Sequence, residues 1–471
     1  MINKKTLFLC VGIFLCSLSA ISQKKVVNFE SGMSSQISSK SQLPFWLVSN
    51  KNGVIPDRNS GIMNLTLYSD FTSEKKTLDY AFGFELAGVI SNQADLILPQ
   101  VYASLKWKGL LLDIGAKDAP VQFDGISSTN GNLLYSGNAR SIPRIALSIP
   151  NYLPLPVIGD WVSVKGLYSE GIMNDTRFVK NTRVHYKNVL VKFGGKRAFN
   201  FVLGFHHYSQ WAGTSRDPKY GKLASDFKNY IQMIQAKGGT DESNYFEWEN
   251  SVGNHIGGWD FQLHYHAEKY DVELYRQTIF EDHSGIYMTR PDGITGLFVK
   301  FKDENRWISS LLYENYYTKY QSGSTPGGAA KPDGGLYTGM DNFFNNGIYR
   351  SGWTYFGRTI GSPFFLTVPE SEDGITLGIA NNRFIAHHFG LKGKLFHKLT
   401  YRAKCSYTQN WGTYGNPYKG GMKQQVSWIT EFDIPASRIP FNISFAISGD
   451  HGDLLKHNIG LFIRIVKFGI L

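Results

Sequence analysis

Beyond its N-terminus the chain lacks any apolar run of the roughly 20 residues that a membrane-spanning helix requires. Cysteine is scarce: only Cys10, Cys16 and Cys405 occur in 471 residues. The first two fall in a segment with Lys4 and Lys5 at its start, an apolar stretch from Leu7 to Leu18, and Ala20-Ile21-Ser22 after it. That order is the pattern of a secretory signal, residues 1–22, cut before Gln23. Its apolar core is too short for a spanning anchor, and Leu9 and Leu15, which precede the two cysteines, argue against a lipid-attached cysteine. The exported chain, residues 23–471, then holds Cys405 alone, which excludes an internal disulfide. Acidic residues are the minority, 38 against 49 Lys and Arg, for a net charge of +11. Removing Lys4 and Lys5 with the signal leaves +9, a balance that favours anionic partners such as acidic sugars or phosphorylated lipid headgroups. No G-x-S-x-G elbow and no complete set of metal ligands is present, so no catalytic residue, metal or other cofactor is expected, and no nucleic-acid partner.

What the sequence does have is glycine, 49 residues, aromatics at 14%, and alternation. Leu78, Tyr80, Phe82, Phe84 and Leu86 share one strand face, with Asp79, Ala81, Gly83, Glu85 and Ala87 on the other. Val101, Ala103, Leu105 and Trp107 repeat this, turn at Lys108-Gly109, and return through Leu110, Leu112 and Ile114. Trp259, Phe261, Leu263 and Tyr265 oppose Asp260, Gln262, His264 and His266. Leu399, Tyr401, Ala403, Cys405 and Tyr407 oppose Arg402 and Lys404, and a last strand starts at Asn458. Alternation alone fits a soluble sandwich or a membrane barrel, in which the apolar face meets lipid. Three features favour the barrel: the rhythm runs nearly the whole chain, short turns alternate with long Gly- and Asp-rich loops, and aromatics sit near strand ends. The expectation is an all-β, antiparallel transmembrane barrel of about 16–18 strands at ~10 residues each plus connections.

Two stretches break the rhythm. "SDFKNYIQMIQAKGG" places Phe227, Tyr230, Ile231 and Ile234 at helical spacing, with Ser225 to cap the start and Gly238 to end it. This predicts a short helix near 225–237, in a loop or as a plug. "GNLLYSGNARSIPRIALSIPNY", 131–152, concentrates Gly, Asn and Pro and reads as a poor central strand. Its Arg140 and Arg144 either pair with acidic wall residues or meet an anionic glycan. Gln321–Gly335 reads as a flexible loop by composition.

Sugar recognition needs aromatic rings for the apolar sugar face and Asn, Asp, His or Arg for its hydroxyls and carboxylates. Arg140, Arg144, His206, His207, Trp211, Asn254, His255, Asp282 and Asp292 supply that mixture, as polysaccharide-binding or lumen residues. The adjacent His283 and Ser284 are the only candidate pair for a hydrolase, and neighbours along a chain rarely face each other productively. Lys106, Asp260, Gln262, Arg402 and Lys404 would line a polar lumen, which leaves a small-solute channel as the alternative function.

"LPFWLVSNKNGVIP", "SGNARSIPRIALSIPNY", "FHHYSQWAG", "NSVGNHIGGWDF" and "QTIFEDHSGIYMTRPDGITGLF", in that order between Leu43 and Phe298, resemble the Wzi capsule assembly family as found in Bacteroidetes-type bacteria. The resemblance implies a Gram-negative outer-membrane barrel that assembles or retains capsular polysaccharide, lectin-like and non-enzymatic. Its implied partners are outer-membrane lipid, lipopolysaccharide and an anionic polysaccharide. Enterobacterial members have 18 strands and a periplasmic helical part. This sequence departs from them in having no N-terminal helical bundle, and it ends in Leu471 rather than an aromatic residue.

Overall fold

The computed structural model describes residues 25–72, 77–157, 159–240, 247, 251–281, 286, 291–322, 341–396, 398–436 and 440–471, with backbone alone at 329–330 and 336–337. The segment read as a secretory signal, Asp282, His283, Ser284 and most of Gln321–Gly335 lie outside these residues.

Eighteen strands form one sheet, and each alternating segment becomes one of them. They are β1 (Asn28–Ser38), β2 (Ser60–Ser69), β3 (Leu78–Ile90), β4 (Ala94–Trp107), β5 (Leu110–Ala116) and β6 (Arg144–Leu155). Then come β7 (Gly159–Ile172), β8 (Arg183–Phe193), β9 (Phe199–Trp211), β10 (Asn254–His266), β11 (Tyr270–Thr278) and β12 (Gly293–Phe301). The last six are β13 (Ser310–Tyr317), β14 (Phe384–Leu395), β15 (Leu399–Asn410), β16 (Lys423–Ile434), β17 (Asn442–Gly452) and β18 (Asn458–Ile470). Each pairs antiparallel with the next, and β1 closes on β18 from Asn28↔Ile470 to Ser38↔Gly460. Closure removes the free edges that an open sheet would expose. The strand count falls at the top of the expected range.

The two faces divide as the alternation predicts. Leu105, Leu147, Phe201, Leu263, Leu297 and Phe389 are exposed on the outer wall, while Asp79, Ser104, Asp260, Gln277, Glu314 and Lys404 are buried inside. The reason is the period of two: with lipid outside, every second side chain must be apolar. Short turns close one end, as at Lys108-Gly109, where Lys108 takes φ 54. Long loops crowd the other end, which by the rule of short periplasmic turns is the extracellular one.

The second half of the 131–152 stretch corrects an expectation. Arg144–Leu155 is a wall strand, and the register slips between Ile149 and Leu153 and again between Pro154 and Leu155. The slip absorbs Pro150 and Pro154, which have no N–H for the ladder. The first half is loop.

Among the described residues the loops carry two α-helices, α1 (Phe45–Val48) and α2 (Phe227–Ile234). Helix α2 sits in the loop between β9 and β10. Its start differs from expectation: Asp226, not Ser225, caps it, by accepting from the Asn229 N–H at 3.0 Å. Its packing face also differs. Asn229 and Met233 are buried, whereas Phe227 is 77% exposed.

Three extracellular connections, 39–59, 117–143 and 341–383, bury their apolar residues in one cluster with the inner wall. Trp46, Leu133, Phe344, Trp353 and Phe365 from the loops meet Tyr208, Ile294, Tyr316 and Phe384 from the strands. Wall glycines make room for them. A Cβ on Gly390 of β14 would lie 2.5 Å from the Ile126 carbonyl oxygen, and one on Gly460 of β18 would lie 2.7 Å from Pro44 Cδ.

Candidate functional site: a filled lumen and its two walls

The plug is pinned to the wall by polar groups at its base. Glu314 on β13 points inward, fully buried, and its carboxylate accepts from Ser127 Oγ (2.6 Å), the Ser128 N–H (3.0 Å) and Tyr275 Oη (2.6 Å). His388 on β14 bonds to the Ile126 carbonyl (2.9 Å) and to Ser406 Oγ (2.7 Å). Lys404 sets its ammonium 4.4 Å from the Trp46 ring centre. An unpaired buried charge or carbonyl is costly, so each of these contacts holds the loops in one position.

Arg140 and Arg144 both lie against aromatic rings. The Arg140 guanidinium stacks 4.2 Å from the Phe356 ring centre, and its Nε donates to the Gly53 carbonyl at 3.4 Å. It thereby ties all three plug loops together. Burial pulls its pKa down, with Asp95 and Tyr355 acting in the opposite direction. Arg144 stands 5.4 Å over Tyr135, which is in turn stacked at 6.1 Å on Tyr208. Rings receive both arginines, where the sequence left acidic wall residues and an anionic glycan as alternatives.

The other sequence-predicted residues do not form one site. His206 faces the lumen, bonded to Tyr186 Oη (3.0 Å) with Asp260 at 3.6 Å. Asn254 also faces in, donating to Gln210 Oε1 at 3.0 Å and accepting from Asn346 at 3.2 Å. His207, Trp211 and His255 face out, beneath α2. His207 Nε2 meets His255 Nδ1 at 2.9 Å, and His255 Nε2 meets the Val252 carbonyl at 2.8 Å. Trp211 lies between Tyr230 of α2 (5.2 Å) and Arg183 (5.0 Å). Asp292 is fully buried at the rim and accepts from the N–H groups of Gln321 (2.9 Å) and Ser322 (3.0 Å). Burial raises its pKa, against those two bonds and Arg276.

A polar cleft of about 340 Å³ remains in the lumen beside the plug. Lys51 meets Glu431 at 2.6 Å, and Arg402 meets Glu431 at 3.5 Å and Asp433 at 3.1 Å. Across the cleft Asp118 accepts from Asn52 Nδ2 and Ser141 Oγ, both at 2.5 Å. Burial, with Glu85 nearby, pushes the Asp118 carboxyl up to about 6 against those bonds. The cleft therefore offers closely balanced donors and acceptors, which suits hydroxyls better than a polyanion. Sequence reading placed Arg402 in the lumen but missed Lys51 and Asp118. They lie in loops, where no period marks a direction.

Among the described residues no group of three or more His, Cys, Asp or Glu is placed to hold a metal ion. The His283–Ser284 pair lies outside them. The Ser406–His388 contact has the geometry of a hydroxyl and a base, but both residues are sealed in the wall behind Ile126.

Comparison with known proteins bears on this arrangement. The model of the family "Capsule assembly protein Wzi" matches residues 64–371, more than half of the chain. Among solved structures, Wzi of Escherichia coli matches with a TM-score of 0.57 at 14% identity, covering 97% of this chain and 86% of that one. That protein is an outer membrane protein involved in group 1 capsule assembly and a carbohydrate-binding β-barrel. OccK3 of Pseudomonas aeruginosa matches with a TM-score of 0.48 at 9% identity, over 97% of this chain and 99% of that one. OccAB4 of Acinetobacter baumannii gives 0.46 at 8% identity, over 96% and 99%. No curated protein matches the sequence. With the family match over 64–371 and a closed 18-stranded barrel, the chain belongs to the Wzi capsule assembly protein family, as an outer-membrane β-barrel.

Proposed function

We propose that this protein holds capsular polysaccharide at the cell surface by non-covalent, lectin-like contact and performs no chemistry on it. The observation that carries this reading is the filled lumen: three extracellular loops share one buried core with the wall. A barrel filled in this way presents a fixed loop surface, which favours this reading over a small-solute channel. The same loops supply the groups that sugars need. Phe356 is exposed beside Arg140, and Arg216–Asp373 and Arg350–Asp217 stand among exposed loop side chains. The E. coli relative is a carbohydrate-binding barrel, and the family match supports the same class of ligand here.

Two measurements test the reading. Purified barrel should bind the acidic capsular polymer of its own cell, and a deletion strain should release that polymer into the medium. An unchanged capsule layer in the deletion strain, with no polymer shed, sinks the proposal. In planar bilayers the barrel should be silent. Large steady openings would return the channel to first place.

A further inference from the structure

We infer that the outer wall at the extracellular ends of β13, β14 and β15 is a seat for the phosphorylated, acylated glycolipid of the outer leaflet. The direction of each side chain follows from the pleat. Thr318, Phe384 and Asn410 are buried and continue the inward rows of their strands, so Lys319, Arg383 and Trp411, one residue away, face out. There they form a compact group. The Lys319 ammonium lies 4.7 Å from the Trp411 ring centre, and the Arg383 guanidinium 3.7 Å from that of Tyr414. Arg383 Nε donates to the Lys319 carbonyl at 3.1 Å, and Tyr414 Oη to the same carbonyl at 3.4 Å. Tyr317 and Tyr320 pack alongside at 5.4 Å.

These cations differ from the exposed arginines of the loops. Arg216 and Arg350 each face a carboxylate, Asp373 and Asp217. Lys319 and Arg383 rest on rings, and among the described residues neither is in an ion pair. Asp292, which acts electrostatically on Tyr317 and Tyr414 of the group, spends its carboxylate on two backbone N–H groups. Two cations backed by rings, with no counter-ion among the described residues, suit a phosphate on a sugar at headgroup height.

The wall below has the composition such a ligand needs. Next down the strands the outward face is polar and hydrogen-bonded: Tyr313 Oη meets His387 Nδ1 at 2.9 Å, and Asn315 Nδ2 approaches the same nitrogen at 3.4 Å. A lipid-facing wall tolerates such groups only where a polar headgroup reaches them. Phe389, level with Tyr313, and Leu311, one outward step lower, are exposed and apolar, fit for acyl chains. Cations, then sugar-bonding groups, then apolar surface is the order of a phosphorylated glycolipid read from head to tail.

The full-length barrel in nanodiscs of neutral lipid provides the test, with bound lipid counted by native mass spectrometry. The probes are bisphosphorylated lipid A and its dephosphorylated form. Retention of the phosphorylated form should exceed the other by about 25-fold, near fivefold for each cation. In K319Q/R383Q that preference should vanish, the two forms being retained alike. Lys423→Gln, paired with inward Asn410 on the lumen side of the same rim, should leave it unchanged. Heat-modifiable gel migration checks folding, and R383Q alone carries the test if the double variant fails to fold. Equal retention of both lipids overturns the inference. So does release of bound lipid A by millimolar inorganic phosphate, which would make the seat one for free phosphate. Loss of polysaccharide binding in K319Q/R383Q with lipid retention intact would also overturn it, assigning the patch to the polymer. The lipid-retention and phosphate-release results do not depend on whether the polysaccharide reading stands.

Discussion

His206 and His207 are neighbours on one strand and live in different solvents. His206 points into the lumen and joins Tyr186 and Asp260 in the polar wall. His207 points toward the lipid side and pairs with His255 under α2. Around the outer pair the wall is polar where lipid contact would call for apolar groups. His185 bonds to Glu170 at 2.6 Å, and Glu170 accepts from Tyr230 of α2 at 2.7 Å. Lys187 reaches the carbonyl of Ile234 at the end of the same helix. Helix α2 and its loop thus act as a cover that satisfies outward polar groups, while the plug loops satisfy inward ones. The difference teaches that residues clustered in sequence are divided by the strand period into two separate constructions. One fills the barrel, and the other screens a patch of its outside.

The comparison breaks hardest at the plug. Trp46→Ala removes a fully buried ring that meets Phe364, His388 and Lys404. It should cost about 3–5 kcal/mol and convert a silent barrel into a conducting one, read by chemical denaturation and bilayer conductance. Silence with full loss of stability would show that the loops stay in place without it.

A smaller inward effect follows from Asp118. Its carboxyl is raised to about 6, so the folded state favours the proton. The resulting stability is present at low pH and is lost as pH climbs from the ordinary carboxylate range through about 6, a difference of about 3 kcal/mol. Melting curves from pH 4 to 7 should show this slope in the native protein and a flatter one in Asp118→Asn.

On the outer side, His255→Ala leaves His207 without its partner at a cost of about 1–2 kcal/mol. Protease should then cut the connection around α2 faster, while polymer binding stays unchanged. Loss of polymer binding would mean that the outer construction also serves recognition. The smallest effect is at Arg140→Ala, about 1 kcal/mol for the ring contact with Phe356. Folded yield and polymer affinity measured together separate its roles: a fall in yield alone marks a brace, and a fall in affinity with normal yield marks a binding residue.

Much of the wall was legible. The Trp259–Tyr265 and Leu399–Tyr407 rows face out as the alternation required, because a one-residue error would put every charge into lipid. The helix near 225–237 was legible in existence but not in its buried face. Its apolar spacing marks Phe227, Tyr230, Ile231 and Ile234; Tyr230 and Ile234 pack on the cluster that holds buried Met233, while Phe227 and Ile231 are exposed and Asn229 is buried instead. Asn229 is held there by Asp226 and Thr240, partners that helical spacing does not reveal.

The candidate site was legible only as residue types. Arginine, histidine and tryptophan were the right kinds, but which of them meet was decided by closure of the barrel and by loops crossing it. Arg140 finds Phe356 and Trp46 finds Lys404 over separations of hundreds of residues, and no local rule encodes those encounters. The sequence by itself determined the strand period, the side on which each wall residue stands and the lack of a spanning helix. Backbone geometry sets those from one residue to the next. Only the tertiary structure decided that the lumen is filled, that the histidines part company and that Lys319 and Arg383 at the rim rest on rings, in no ion pair among the described residues. These depend on which distant segments the closed barrel brings together.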